Sequence, residues 1–323
     1  MTQIDIIKSP ILEELRAFNN IFETAFTASD PLLKSVMHHV KQRSGKQIRP
    51  ILVILSAKLC GDVTPKTYQV AASFELLHTA SLIHDDVVDN SYERRQQPSV
   101  NALFDNKTAV LVGDYLLTSS MDYMARTANF QLVNCLVQLG KEVTQGELLQ
   151  LEKAYKKSTE EDYFEIIRKK TAMLFAVCTE GGAISANATI AQQQALHNFG
   201  EKLGICFQIK DDIFDYSPKA KIGKPTLNDI REGKITLPLI HALEQASEAE
   251  RHKVSEILST NEFNVDNLSF IHQLVTNYQG HKYAEKIMMD FKQKAIDSLA
   301  DFPENKTKSA LLETLNFVLD RQS

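Results

Sequence analysis

The sequence predicts an all-α protein built from long helices, and three observations carry that expectation. Apolar residues recur three or four positions apart through almost the whole chain. Helix breakers are few, 12 Gly and 9 Pro in 323 residues, so long helices carry little penalty. No strand–turn–strand pattern is present.

Taken in order, IDIIKSPILEELRAFNNIFETAF opens the helical series with Ile7, Ile11, Leu15, Phe18 and Phe22. ILVIL (51–55) has the look of a short buried strand, but it continues into SAKLCG, where Gly61 suits a helix C-cap, and it reads as helix. KTYQVAASFELLHTASLIHDDVVDNS keeps the spacing from Val70 to Val88. TAVLVGDYLLTSSMDYMARTA, NFQLVNCLVQLGKEVTQGELLQLEKA, TEEDYFEIIRKKTAMLFAVCTEGGAIS and QQQALHNFGEKLGICFQIKDDIFDY do the same. EGKITLPLIHALEQA and further amphipathic helices close the chain. With no repeat, low-complexity tract or linker, residues 1–323 read as a single domain.

Composition sets the class. A 43% hydrophobic content gives material for a sizeable core, and a net charge of -5 excludes bulk attraction to nucleic acid or anionic membrane. The N-terminus carries Asp5, Glu13 and Glu14 and lacks the basic and apolar regions of a signal peptide. No uncharged apolar run approaches the ~18 residues of a membrane span. A cytoplasmic protein without a stable membrane anchor is expected. Cys60, Cys135, Cys178 and Cys206 lie far apart in apolar stretches and read as buried, reduced thiols.

Two aspartate clusters interrupt this apolar pattern. DDVVD (85–89) and DDIFD (211–215) share the form D-D-x-x-D. On a helix, Asp85 and Asp89 share a face, as do Asp211 and Asp215. Carboxylates so close repel unless a cation sits between them, and hard oxygen ligands suit Mg²⁺ bridged to phosphate. Ser81, His78 and Phe74 continue the Asp85 face, and Gln208 and Gly204 the Asp211 face. Both stripes turn from polar to apolar or small, which describes a cavity with a charged mouth and an oily depth. One such cluster alone is as easily a solvated helix end; two, each followed by a basic loop (91–107 and 217–234), are not.

The basic residues supply a counterpart. SGKQIRP (44–50) offers Lys46 and Arg49, and ERRQQP (93–98) offers Arg94 and Arg95; Lys170 precedes Thr171, and Lys224 and Lys234 lie in the second basic loop. Singly, each is a surface charge. Together with six aspartates they fit two polyanionic ligands, one held through metal ions and one directly. His84, ~100° around the helix from Asp85, receives no role.

In this order the motifs resemble the trans-prenyltransferases, the polyprenyl diphosphate synthases. GKQIRP, ELLHTASLIHDDVVDNSYERR, LVGDYLL, KTA, FGEKLGICFQIKDDIFDY, GKPTLNDIREGKITLP and FVLDR carry the resemblance over nearly the whole chain. It implies the isoprenoid synthase fold, a bundle of long helices around a central cavity. By the same resemblance, Lys46, Arg49, His78 and Arg95 bind the diphosphate of isopentenyl diphosphate. Asp85, Asp89 and Asp211 hold Mg²⁺, three ions per active site, bridging an allylic diphosphate, with Asp86, Asp212 and Asp215 in support. Arg94, Lys170, Lys224 and Lys234 contact that diphosphate, and Thr171 and Gln208 line the place where the carbocation forms. The small Ala80 and Ser81, one turn below the aspartates, imply a long-chain all-trans product; Phe74, Met121 and Tyr123 are candidates for the tunnel floor or for ordinary core. A homodimer is implied as well. Two positions depart from the family pattern: Leu227, where Gly is common, and Lys210, where an apolar residue is common. A shorter-chain synthase, a class I terpene cyclase and a non-catalytic partner subunit are the alternatives.

Overall fold

The structure, a computed structural model, describes residues 2–42, 45, 47–94, 97–216 and 227–320. Lys46, Arg95 and Lys224 lie outside the described residues. The all-α expectation holds. Among the described residues the β structure is one minimal pair, Glu93–Arg94 antiparallel to Gln97–Pro98. Sequence patterning did not foresee it, because two residues a side are too few for an alternation to register.

The chain packs as two compact units. The first comprises Met1–Gln138, Val177–His197 and Phe302–Glu313. Its axis is the helix Pro65–Val88, started by Thr64 at the N-cap and Pro65 in the first turn. Val70, Ala71, Ala72, Phe74 and Leu76 are fully buried, so this helix is packed on several sides rather than along one stripe. The helix Asn106–Ala125 crosses it where Ser73 Oγ donates to Ser120 O at 2.8 Å. Ile48–Cys60 confirms that ILVIL is helical. Pro50 sits inside its first turn, where an amide N–H has no intrahelical partner. Gly61 ends this helix in extended rather than left-handed backbone (φ 171°), so the C-cap expectation holds in position but not in conformation. The opening segment breaks once, at the tight turn Ser9–Ile11 around Pro10, between helices Gln3–Lys8 and Leu12–Thr24. Ile7, Ile11, Leu15, Phe18 and Phe22 are all buried, as their spacing predicts.

The second unit comprises Leu139–Ala176, Asn198–Asp301 and Thr314–Ser323. Phe199, Leu203, Ile209, Leu237, Leu239 and Ile271 are fully buried in it. The helix Glu160–Ile167 continues into a wide π-type turn, Arg168–Ala172, before the helix Met173–Ser185. The helix Ile190–Asp215 ends on the second aspartate cluster. No helix among the described residues is long and apolar enough to cross a membrane. Cys178 and Cys206 are buried, while Cys60 and Cys135 are half-buried rather than fully so. Desolvation pushes Cys60, Cys135 and Cys206 up to about 12, so these thiols are inert at neutral pH.

Candidate active site

Both aspartate triplets stand on the last turn of a helix. Asp85 and Asp86 close Pro65–Val88 with Asp89 as its C-cap, and Asp211, Asp212 and Asp215 close Ile190–Asp215. The C-terminal end of a helix is the negative end of its dipole, so carboxylates there are placed against the field. A cation reverses that penalty. Three hard-oxygen donors at such an end fit a divalent ion such as Mg²⁺. Mg²⁺ takes oxygen ligands and keeps several waters, binding through one or two carboxylates together with a ligand's phosphates.

In the first unit, Asp86 is 1% exposed and accepts a hydrogen bond from Arg94 Nε at 2.7 Å. The same turn is tied from behind: Ser91 N and Asn101 Nδ2 donate to Asp86 O at 2.8 and 3.2 Å. Arg94, expected to contact an anionic ligand, thus also fixes the basic loop to the aspartate helix. Asp85 is half-buried and Asp89 exposed. Arg49 and His78 are half-buried on the helices Ile48–Cys60 and Pro65–Val88. Gln47, at the start of the former, adopts a left-handed conformation (φ 54°) that costs a non-glycine residue ~1 kcal/mol. Ser81 Oγ donates back to His78 O at 2.9 Å, so its polar atom is spent on its own helix. Ala80 is buried beside it. His84 Nε2 reaches Val110 O at 3.2 Å and lies 3.4 Å from Asp114 of the LVGDYLL motif. That gives it a packing role between helices. Met121 is exposed, so it is not ordinary core, whereas Tyr123 is buried with its hydroxyl 3.0 Å from Thr24 Oγ1.

In the second unit, Asp212 is 2% exposed and both its oxygens have donors: the Tyr163 hydroxyl at 2.5 Å and Gln208 Nε2 at 2.8 Å. Gln208 Oε1 in turn accepts from the Thr171 hydroxyl at 2.8 Å. Asp215 accepts from the backbone N–H of Asn228 and Asp229 at 2.9 and 3.0 Å, which fastens the far end of the second basic loop. Asp211 is half-buried. Burial raises Asp212 above the ordinary carboxylate range, opposed by the Tyr163 and Gln208 hydrogen bonds. Asp229 is also raised, by burial first and by Asp212 and Asp215 next. Burial drives Tyr163 well above an ordinary phenol, so it remains a donor.

Lys170 and Thr171 sit on the wide turn, a local geometry that recurs at functional sites. Two glycines admit it. A Cβ on Gly146 would lie 2.9 Å from Lys170 N, and one on Gly204 only 2.5 Å from Ala172 Cα. Lys170 Nζ pairs with Glu147 at 2.5 Å and reaches Gln150 at 3.4 Å. Lys234 pairs with Glu232 at 2.5 Å. Lys210 lies over the Phe214 ring at 5.0 Å, occupied away from the carboxylates as its helical position predicts. Leu227 is fully buried and left-handed (φ 37°), the backbone for which a glycine is the ordinary choice.

Sequence reasoning missed Tyr163, Glu147 and Asp229. Tyr163 reads as one more apolar position of an amphipathic helix, and Asp229 lies in a loop read for its cations.

The sequence model of polyprenyl synthetase matches residues 30–275, most of the chain. The chain belongs to the polyprenyl synthetase family. It is a prenyltransferase of isoprenoid biosynthesis, a polyprenyl diphosphate synthase. It is 36% identical to the all-trans-nonaprenyl-diphosphate synthase (geranyl-diphosphate specific) of Rhodobacter capsulatus, over 98% of this chain and 97% of that protein. The solved polyprenyl synthase of Caulobacter crescentus, complexed with calcium and isoprenyl diphosphate, superposes with a TM-score of 0.91 at 30% identity, covering 99% of this chain and 98% of that one. The solved geranylgeranyl pyrophosphate synthase of Bacteroides thetaiotaomicron gives 0.86 at 40% identity, covering 99% and 100%. The fold is therefore the isoprenoid synthase fold that the motifs imply.

Proposed function

We propose that this polyprenyl diphosphate synthase condenses isopentenyl diphosphate with an allylic diphosphate and extends it to a long-chain all-trans product, the whole chain 1–323 acting as one catalytic domain. The observation that carries the reading is the pair of carboxylate triplets, each on the negative end of a helix. Asp85, Asp89 and Asp211 would hold Mg²⁺, three ions in this reading, with Asp86, Asp212 and Asp215 in support; bound there, the ions would offset the charge of the allylic diphosphate. The calcium and isoprenyl diphosphate of the Caulobacter relative support this reading.

The chain's own residues do the rest. Lys46, Arg49, His78 and Arg95 hold the diphosphate of isopentenyl diphosphate. When the allylic C–O bond breaks, the leaving diphosphate takes the electron pair, and Arg94, Lys170, Lys224 and Lys234 meet its growing charge. Lys170 and Lys234 each have a carboxylate partner that a diphosphate of higher charge can displace. Thr171 and Gln208 put oxygen dipoles beside the cation, the double bond of isopentenyl diphosphate attacks it, and the proton lost goes to the released diphosphate. No general base is required.

Long product length is supported by the small Ala80 and Ser81, whose only hydroxyl is turned away into its helix, and by the nonaprenyl-forming relative. The geranylgeranyl-forming relative favours the shorter alternative. Incubation with Mg²⁺, isopentenyl diphosphate and farnesyl diphosphate, followed by mass measurement, decides between them. Products longer than geranylgeranyl diphosphate are expected; a geranylgeranyl end product sinks the long-chain reading. Turnover without isopentenyl diphosphate would indicate a cyclase, and inertness without a second protein a partner subunit. Ser81→Phe should shorten the product while turnover persists, and an unchanged product removes Ser81 from the tunnel.

The enzyme works as a cytoplasmic homodimer in this reading. Exposed Val110, Leu111, Tyr115 and Met121 on the outer side of Asn106–Ala125 support a self-association face, and four unpaired thiols suit a reducing compartment.

A further inference from the structure

Tyr163, Asp212, Gln208 and Thr171 form one hydrogen-bonded chain, and its direction is fixed at the buried end. Both Asp212 oxygens act as acceptors, each facing one donor. The Tyr163 hydroxyl therefore donates to Asp212 Oδ2 at 2.5 Å, and Gln208 must offer its amide nitrogen to Oδ1 at 2.8 Å. That orientation points Gln208 Oε1 at Thr171. Oε1 has no proton, so the Thr171 hydroxyl donates to it at 2.8 Å. Its proton spent, the Thr171 oxygen turns lone pairs toward everything else it faces. Thr171 is half-buried on the wide turn.

We propose that Tyr163 is a positioning residue for prenyl transfer: by anchoring Asp212 it sets the polarity of this chain, so that Thr171 presents lone pairs rather than a proton to the developing allylic cation. The inference rests on the reading of Thr171 given above. Tyr163 itself is 4% exposed and acts only through Asp212. An O–H pointed at the cation places the positive end of the dipole against it; a lone pair places the negative end. The sign of that interaction depends on which way one amide is turned. With the Tyr163 hydroxyl removed, Asp212 keeps one anchor of two, its carboxyl can rotate, and Gln208 can turn over and offer its nitrogen to Thr171. Burial alone does not require the hydroxyl, since Phe fills the same space.

The test is a double-mutant cycle on the full chain with Mg²⁺, farnesyl diphosphate and isopentenyl diphosphate. Tyr163→Phe should lower kcat by about tenfold with KM for isopentenyl diphosphate unchanged, and in a Thr171→Val background the same change should cost less than about threefold. Thr171→Ser, which keeps the hydroxyl, should restore the full sensitivity to Tyr163→Phe. Additive losses, or a wild-type kcat in Tyr163→Phe, overturn the proposal. If Tyr163→Phe does not fold, Asp212→Asn takes its place in the cycle. There Tyr163 claims the Asn oxygen, the Asn nitrogen faces Gln208, and the amide must reverse, so the same coupling to Thr171 is expected and additivity again overturns it. A wild-type chain that yields no prenyl product under these conditions refutes the functional reading instead.

Discussion

The two D-D-x-x-D helices bury the same residue of the motif and anchor it by different means. Asp86 and Asp212 are 1% and 2% exposed. Adjacent residues on a helix diverge by ~100°, so one aspartate of each pair turns inward while its neighbour stays half-buried. Asp86 is met by a cation, Arg94 Nε at 2.7 Å. Asp212 is met by two neutral donors, Tyr163 and Gln208. The third aspartates differ too: Asp89 caps its own helix, whereas Asp215 receives two backbone N–H groups from the loop beyond. Identical motifs thus use different donors on their carboxylates: a basic side chain on Asp86, neutral side chains on Asp212 and main-chain N–H groups on Asp215. The partner of the inward carboxylate, not the motif, decides whether its loss is felt as a broken charge pair or as a broken dipole chain.

The largest effect tests what the clusters share. Asp85→Ala and Asp211→Ala should each lower kcat by about 10²–10³-fold, the scale of losing one preorganised charge-stabilising group. Each loss should be partly recovered at high Mg²⁺ if the residue is a ligand. A variant with wild-type kcat, or with a loss indifferent to Mg²⁺, would break the symmetry between the clusters.

Next comes the main-chain fastening of the second cluster. Leu227 donates its N–H to Asp215 O at 3.2 Å while strained in left-handed backbone. Leu227→Gly relieves ~1–2 kcal/mol of strain but empties a fully buried site, where deleting a Leu side chain costs about 2–5 kcal/mol. The cavity wins, and a net loss of about 2 kcal/mol is expected by thermal or urea unfolding. A gain in stability would mean that the loop is held by strain rather than by packing.

The anchors themselves come third. Asp86→Asn removes the charge from a buried hydrogen bond to Arg94 and should cost about 1–2 kcal/mol, limited because Arg94 remains one-third exposed. Asp212→Asn keeps a neutral acceptor for Tyr163 and should cost less, though its kinetics suffer. Equal losses of stability would erase the distinction between charged and neutral anchoring.

Much of this was legible in the sequence. The helices, the buried spacing from Ile7 to Phe22, the two aspartate clusters and the idle Lys210 all follow from a period of 3.6, because that period governs both packing and which side chains share a face. What stayed hidden depends on contacts between segments distant in sequence. Tyr163 lies 49 positions from the aspartate it serves, and nothing in its own helix marks it. For Arg94 the sequence shows the charge but not the buried carboxylate it also meets. The wide turn under Lys170 and Thr171 is invisible without the glycines that admit it, and the core alternative for Met121 falls only when its exposure is seen.

The smallest effect concerns the helix that carries Tyr163. Glu160–Ile167 begins with a reciprocal cap: Thr159 N donates to Asp162 Oδ2 at 3.0 Å and Asp162 N donates to Thr159 Oγ1 at 3.1 Å. Lys153 Nζ adds an ion pair at 2.8 Å. The hydrogen bond from Lys153, and then that from Thr159, hold Asp162 down at about 2. A carboxyl that is more acidic folded than unfolded binds its proton less readily in the native state. Its stabilising contribution is therefore present above the unfolded value near 4 and is lost as pH falls from about 4 toward 2. Melting temperatures between about pH 4 and pH 2 should fall more steeply for the wild type than for Asp162→Asn, with the two curves converging at the acid end. Because this cap stands one residue from Tyr163, loosening it should reach the neutral anchor of the second cluster and leave the Arg94–Asp86 pair untouched. An acid sensitivity that follows Arg94→Gln instead of Asp162→Asn would place the weaker fastening in the first unit and reverse the comparison.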